Sequence, residues 1–160
     1  MRAYAPRFDG DVELWGATGL LHDLDYERYP NLEHGHPRYA IKELERLDYP
    51  PELVRAVSSH ADFMGVPRQT AMERALYAVD EMSGFVLACA YVRPNGLSGM
   101  TPKSVKKKLK QPSFAAAVDR EELRRGAEDL GVDFDEHLQT VIAALAEHGD
   151  ELLERHSGAA

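Results

Sequence analysis

The sequence predicts an all-α protein, a helical bundle with a metal site in its core. Apolar residues recur at helical spacing along most of the chain, and no segment shows the sustained apolar–polar alternation of a β-strand. Residue types that begin and end helices separate these segments. Histidines and aspartates lie inside or directly after several apolar stretches, which is how helical bundles build metal centres.

Four helices are expected in the first half of the chain. The loop at 23–35 is rich in turn-forming residues, and the segment 93–96, Arg-Pro-Asn-Gly, ends the last of the four helices. Pro50 and Pro51 break the chain and start a helix, because proline is tolerated in a first turn. The expected helices cover residues 11–22, 36–47, 51 to about 60, and 69–92.

Capping residues mark the expected helices in the second half of the chain. Thr101, followed by proline, is a favourable helix start, and Asp119 can cap a helix that ends near Gly131. Asp133 with Glu136 three residues later resembles a capping box for the last helix. That helix presents one apolar face, which consists of Phe134, Leu138, Val141, Leu145 and Leu152.

Composition indicates a single domain over residues 1–160. The hydrophobic content of 44% and the charged content of 29% are ordinary for a globular protein with its own core. No run of about 18 apolar residues and no signal-peptide core is present, so we expect no membrane span. The single cysteine, Cys89, excludes an intrachain disulfide and fits the cytoplasm. The net charge of −8 argues against general or sequence-specific nucleic-acid binding.

Two charged features each allow two interpretations. Residues 103–110 contain five lysines, and positions 101–112 contain no acidic residue. This cluster is either a solvated helix face or a clamp for an anionic substrate. Asp25 and Glu27 are interpreted as ordinary loop acids, with orientation of metal ligands or general-base catalysis as the alternative.

The residues expected to bind a metal lie on four helices and one loop. His22 and Asp23 directly follow an apolar stretch, where a buried charge is costly unless it is paired or bound to a metal. Asp80 lies inside another apolar stripe, and His36 and His60 fall on the inner faces of two intervening helices. Each residue alone is more often structural, but their joint placement favours a metal site. The remaining late histidines are interpreted as surface residues: His137, His148 and His156.

At this point the order of residues resembles the HD-domain superfamily of metal-dependent phosphohydrolases. Its signature is a histidine, a His-Asp pair, further histidines and an aspartate, and residues 19–27, Gly-Leu-Leu-His-Asp-Leu-Asp-Tyr-Glu, resemble its central motif. His60 resembles the histidine after the next helix, and residues 75–84 resemble the final aspartate segment. Segments 103–108 and 114–131 resemble a subgroup of small bacterial predicted hydrolases, so the resemblance covers nearly the whole chain.

The resemblance implies an HD-type helical bundle and a set of metal ligands. His22, Asp23 and Asp80 would hold the main metal. His36 and His60 would hold a second metal or contact phosphate, which gives one or two divalent ions per chain. Histidine with carboxylate suits Mn, Fe, Ni, Co, Zn or Mg.

One part of the family signature has no counterpart in the sequence. No histidine precedes His22, so the N-terminal helix that carries the family's first histidine is absent. Either the chain begins downstream of the natural start, or the ligand has been lost. His34 is an alternative to His36. If the ligand has been lost, His34 or a water would fill the missing position, or the site would bind metal weakly.

The function expected from these residues is hydrolysis of a nucleotide or another small phosphate ester by metal-activated water. His22, Asp23 and His60 are the expected catalytic residues. The expected partner is the small phosphorylated substrate, and nothing in the sequence specifies self-association. The alternatives are a diiron oxygenase of the same fold and a catalytically impaired domain with a binding or regulatory role.

Overall fold

In the computed structural model, which describes residues 1–149, the regular structure is helical throughout. The described residues contain no strand, and this confirms the all-α prediction. Two short 3-10 helices, Ala5–Phe8 and Asp62–Met64, accompany the α-helices. In chain order the α-helices are α1 (Val12–Leu21), α2 (Arg38–Arg46), α3 (Pro51–Ser59), α4 (Ala71–Tyr91), α5 (Pro102–Leu109), α6 (Arg120–Leu130) and α7 (Phe134–Ala146).

The helix ends follow the caps in the sequence. Thr101 and Ser104 form a reciprocal capping box at the start of α5. The carboxylate of Asp119 accepts backbone amides at the start of α6, and Asp133 does the same for α7. Gly131 ends α6 in the left-handed conformation, with a φ of 76° that favours glycine.

The chain divides into two compact units, residues 1–77 and residues 78–160, and the boundary falls within α4. The prediction of one domain over residues 1–160 stays a prediction. In the first unit, α3 packs against both α1 and α2. The buried apolar cluster at this junction is formed by Ala40, Leu44, Leu53, Val54 and Val57, and Leu14, Ala17 and Leu21 of α1 pack against it.

In the second unit, α7 packs against α5 and α6. Phe85, Leu123 and Leu138 are fully buried there. His137 is also fully buried, and its Nε2 lies 2.9 Å from the carbonyl oxygen of Ala78. The surface interpretation of His137 is therefore wrong.

The error has a physical cause, because the buried face of α7 includes the position next to Leu138 in spite of the charged neighbours. His148 is exposed, as predicted. Leu152 and His156 lie outside the described residues. Within residues 1–149 no helix combines the length and the apolar character that crossing a membrane requires.

Candidate metal centre

Four of the predicted ligands come together in the first unit, where helices end. His22 is the C-cap of α1, and His60 is the C-cap of α3. Asp23 is the first residue after His22, and His36 lies in the loop that leads to α2. At the end of a helix the backbone leaves regular geometry, so adjacent side chains can point in the same direction. The apolar cluster formed by residues of α2 and α3 packs against α1 and fixes the relative positions of α1 and α3.

The ligand atoms of these residues face one another at short distances. The Nε2 atoms of His36 and His60 are 3.2 Å apart. The Oδ1 atom of Asp23 lies 3.4 Å from Nε2 of His36 and 3.8 Å from Nε2 of His60. The other carboxylate oxygen, Oδ2, lies 3.4 Å from Nε2 of His22. The carboxylate of Asp23 thus lies between all three imidazoles.

The opposite nitrogen of each imidazole fixes its tautomer. In all three histidines Nδ1 lies close to an oxygen that can only accept a hydrogen bond, so Nδ1 carries the proton and Nε2 presents a lone pair. The accepting oxygens are the Gly19 carbonyl for His22 at 2.9 Å, the Asp25 carboxylate for His36 at 2.8 Å and the Val57 carbonyl for His60 at 2.6 Å.

This arrangement fits a divalent metal ion. Asp23, His36 and His60 form a group whose ligand atoms all lie within 4.8 Å of one another, and the second oxygen of Asp23 lies 3.4 Å from Nε2 of His22. Ligands bonded to one ion at about 2.0–2.2 Å are about 3–3.5 Å apart, which matches three of the four observed spacings, the separation of Asp23 and His60 being longer at 3.8 Å. Imidazole with carboxylate is the donor set of Zn, Mn, Fe, Co and Ni.

The site is buried on one side and open on the other. The side chains of His36 and His60 are 5% and 3% exposed, whereas that of Asp23 is 46% exposed. The ring of Tyr26 meets the ring of His36 edge to face, with centroids 5.3 Å apart. A ligand can therefore approach from the side of Asp23, while the histidines are held by the protein.

Asp25 orients His36 and is not an ordinary loop acid. Its side chain is 2% exposed, and Oδ1 accepts the Nδ1 proton of His36. Oδ2 accepts the backbone N–H of Ala40 at 2.8 Å, in the first turn of α2. Carboxylates in this position increase the basicity of a ligating histidine. Glu27, in contrast, is exposed, in agreement with the loop interpretation.

The loop between His22 and α2 is closed by its own backbone. The N–H of His36 donates to the carbonyl of Tyr29 at 2.8 Å, and the N–H of Gly35 donates to the carbonyl of Asn31 at 2.7 Å. A Cβ on Gly35 would collide with the Tyr29 carbonyl oxygen and lie 2.6 Å from that of Asn31. The rings of Tyr29 and Tyr39 stack with centroids 3.9 Å apart. The loop is therefore held by its own backbone hydrogen bonds and ring contacts.

Two further predicted residues are His34 and Asp80. The side chain of His34 is 86% exposed and lies 3.8 Å from the carboxylate of Glu33, so the structure does not bring it to the cluster. Asp80 lies in α4 and is partly buried. Its role as a ligand stays a prediction.

Comparison with known proteins gives one match. A family model described as HD domain matches residues 1–84, slightly more than half of the chain. The matched segment contains every residue of the cluster and reaches beyond Asp80. Searches of curated proteins and of solved structures found no match.

Proposed function

This chain belongs to the HD domain family, and we propose that it is a metal-dependent phosphohydrolase acting on a nucleotide or another small phosphate ester. One observation carries the proposal: the two carboxylate oxygens of Asp23 lie within 3.8 Å of the Nε2 atoms of His22, His36 and His60. Membership of the family supports the reaction class, and the donor set supports the metal.

The proposed ligands are His22, Asp23, His36 and His60, and the family resemblance adds Asp80. These side chains would hold a divalent ion, which when bound would supply a water of lowered pKa and a Lewis acid for a phosphoryl oxygen. Asp23 contacts His22 through one oxygen and the other two histidines through its second oxygen, so its carboxylate has the geometry to serve one ion or two.

The remaining residues hold the ligands in place. Asp25 keeps the proton of His36 on Nδ1, so that Nε2 stays available as a donor. The Val57 carbonyl does the same for His60. Because these partners are themselves buried or part of the backbone, the donors need little reorganisation when an ion or a substrate arrives.

The test compares two histidines that lie two residues apart. Metal content is measured by elemental analysis, and phosphate release is measured over a panel of nucleotides and phosphate monoesters with each candidate metal. We expect His36→Ala to lose bound metal and to lower activity at least about 100-fold, because it removes a ligand of the ion. His34→Ala, which removes an exposed imidazole, should change neither by more than about twofold.

Each half of the proposal has its own contradicting result. Full metal content in His36→Ala would overturn the assignment of the site. If the metal-loaded wild-type protein releases no phosphate from any ester, the proposed phosphohydrolase activity is wrong. Oxygen consumption with an iron-loaded protein would favour an oxygenase of the same fold.

A further inference from the structure

The second unit contains a long stretch of the chain without acidic residues. Between Glu81 and Asp119 there are one arginine, five lysines and no aspartate or glutamate, although the chain as a whole has a net charge of −8. Local charge of one sign attracts ligands of the opposite sign, provided that the side chains are not already paired. One of these lysines is paired, since Lys106 lies 2.6 Å from the carboxylate of Asp135.

Three of the cations line one cavity between the end of α4 and α5. The cavity has a volume of about 320 Å³. It contains no carboxylate, and its lining consists of Cys89, Arg93, Ser104, Lys107, Lys108 and Gln111. This volume lies at the lower end of the range for small-molecule sites, about 300–1,000 Å³. The cavity is thus large enough for a small ligand and positive on its walls.

Arg93 has a donor that is not satisfied by the protein. Its Nη2 donates to the carbonyl of Ser98 at 2.9 Å. Its Nη1 is buried and has no hydrogen-bond partner in the described part of the chain. A buried donor of a charged group without an acceptor is costly, and the planar guanidinium suits the oxygens of phosphate.

Two other observations support convergence of charge on this cavity. The ammonium of Lys108 lies 4.7 Å from the ring centroid of Phe114, which restrains it by a cation–π contact. Burial raises the pKa of the Cys89 thiol, and the charges of Lys108 and Arg93 oppose that increase. Both cations therefore act on the sulfur in the cavity wall.

We propose that this cavity binds the phosphate group of a small molecule, at a site formed only by residues 89–111 and separate from the metal ligands. Arg93, Lys107 and Lys108 supply the positive charge, and the amide of Gln111 supplies a neutral donor. The ligand is either inorganic phosphate or diphosphate, or a phosphorylated small molecule. The proposal does not depend on the hydrolase activity.

The experiment titrates the whole protein with inorganic phosphate, pyrophosphate and ADP by calorimetry at constant ionic strength. We expect the double variant K107A/K108A to raise the Kd of the best of these probes about tenfold or more, because it removes two charged partners. The control K103A/K110A removes the same charge outside the cavity lining and should change the Kd less than about threefold. Binding of ADP but not of pyrophosphate would indicate the phosphorylated molecule as the source.

Asp23→Asn, a change in the metal cluster, should leave this binding unchanged. Thermal melting verifies that each variant is folded. Arg93→Gln removes a third positive charge from the cavity and should also raise the Kd of the probe.

Several outcomes would overturn the proposal. The first is an equal increase of the Kd in K107A/K108A and in the control K103A/K110A. The others are loss of probe binding in Asp23→Asn and no binding of any probe to the wild type. Binding of a single-stranded oligonucleotide without binding of the small probes would indicate a macromolecular ligand instead.

Discussion

At the scale of single residues, the hydrogen bond from His36 to Asp25 sets the orientation and the basicity of the His36 ring. We expect Asp25→Asn to weaken metal binding about 10- to 100-fold, because it removes the charge that increases the basicity of His36. A competition titration with a coloured chelator measures the affinity. The matched control is Glu27→Gln, which changes an exposed acid in the same loop and should leave the metal affinity unchanged. Equal affinities of the two variants would contradict the orienting role.

Cys89 should be nearly unreactive in the folded protein. Burial raises the pKa of its thiol to about 11, so at pH 8 only about one thiol in a thousand is ionised. The rate of alkylation by iodoacetamide should increase about tenfold per pH unit above neutrality, and it should be far faster in urea. Cys89→Ala provides the blank, and rapid alkylation at neutral pH would show that the thiol is ionised or accessible.

The same shift affects stability. The thiol binds its proton more tightly in the folded chain than in the unfolded chain, where the pKa is near 9.0. Its contribution to stability is therefore complete below about pH 9 and is lost as the pH rises to about 11.

The sequence indicated the four residues of the cluster but not the carboxylate that orients one of them. His22, Asp23, His36 and His60 are recognisable because metal chemistry restricts their residue types and their order in the chain. Asp25 is not, because an acid two residues after a ligand is equally common as a solvated loop residue. Its burial depends on where α2 begins, and that is a tertiary feature.

At the scale of helices, two glycines provide a matched pair. Gly84 is exposed in α4, and a Cβ there has no atom within 4 Å. Gly126 in α6 lies against α4, and a Cβ there would lie 2.9 Å from the Cα of Ala78. Gly84→Ala should stabilise the protein by about 1 kcal/mol through helix propensity.

Gly126→Ala gains the same helix propensity, but the new methyl group must displace the backbone of α4 at Ala78. We expect this substitution to destabilise the protein by roughly 1–3 kcal/mol. Thermal or urea unfolding measures both changes. Equal stabilisation by the two substitutions would show that α6 can shift away from Ala78 at little cost.

Helix positions were predictable because caps are local. Thr101, Asp119 and Asp133 each bond to amides within the next three residues, so the sequence contains the whole interaction. The start of α2 was predicted at His36, but the helix begins at Arg38. Proline disfavours helical backbone in the residue before it, and Pro37 therefore leaves His36 in the loop, where its ring can turn towards Asp23.

At the scale of the whole molecule, metal binding and folding should be coupled. An ion that binds only the folded chain stabilises it by about 2.7 kcal/mol at a concentration of 100 times its Kd. We expect the Tm to rise by several degrees on addition of the preferred metal, and to fall again with a chelator. The variant H36A/H60A should show neither change, and a metal-induced increase of its Tm would place the binding site elsewhere.

The division into two units had no signal in the sequence. A linker rich in glycine, serine or proline would have marked it, but the boundary lies inside the continuous helix α4. The family match ends at residue 84, in the same helix, so the order of histidines and aspartates made the first unit recognisable.

The closed loop around Gly35 has a consequence for how this protein can change during evolution. Any other residue at this position collides with the carbonyls of Tyr29 and Asn31, so a substitution there would open the loop and displace His36. The proposed activity would then be lost while every proposed metal ligand remained in the sequence. A descendant of this chain that has become a pseudoenzyme would be recognised by the loss of one glycine, which performs no chemistry itself.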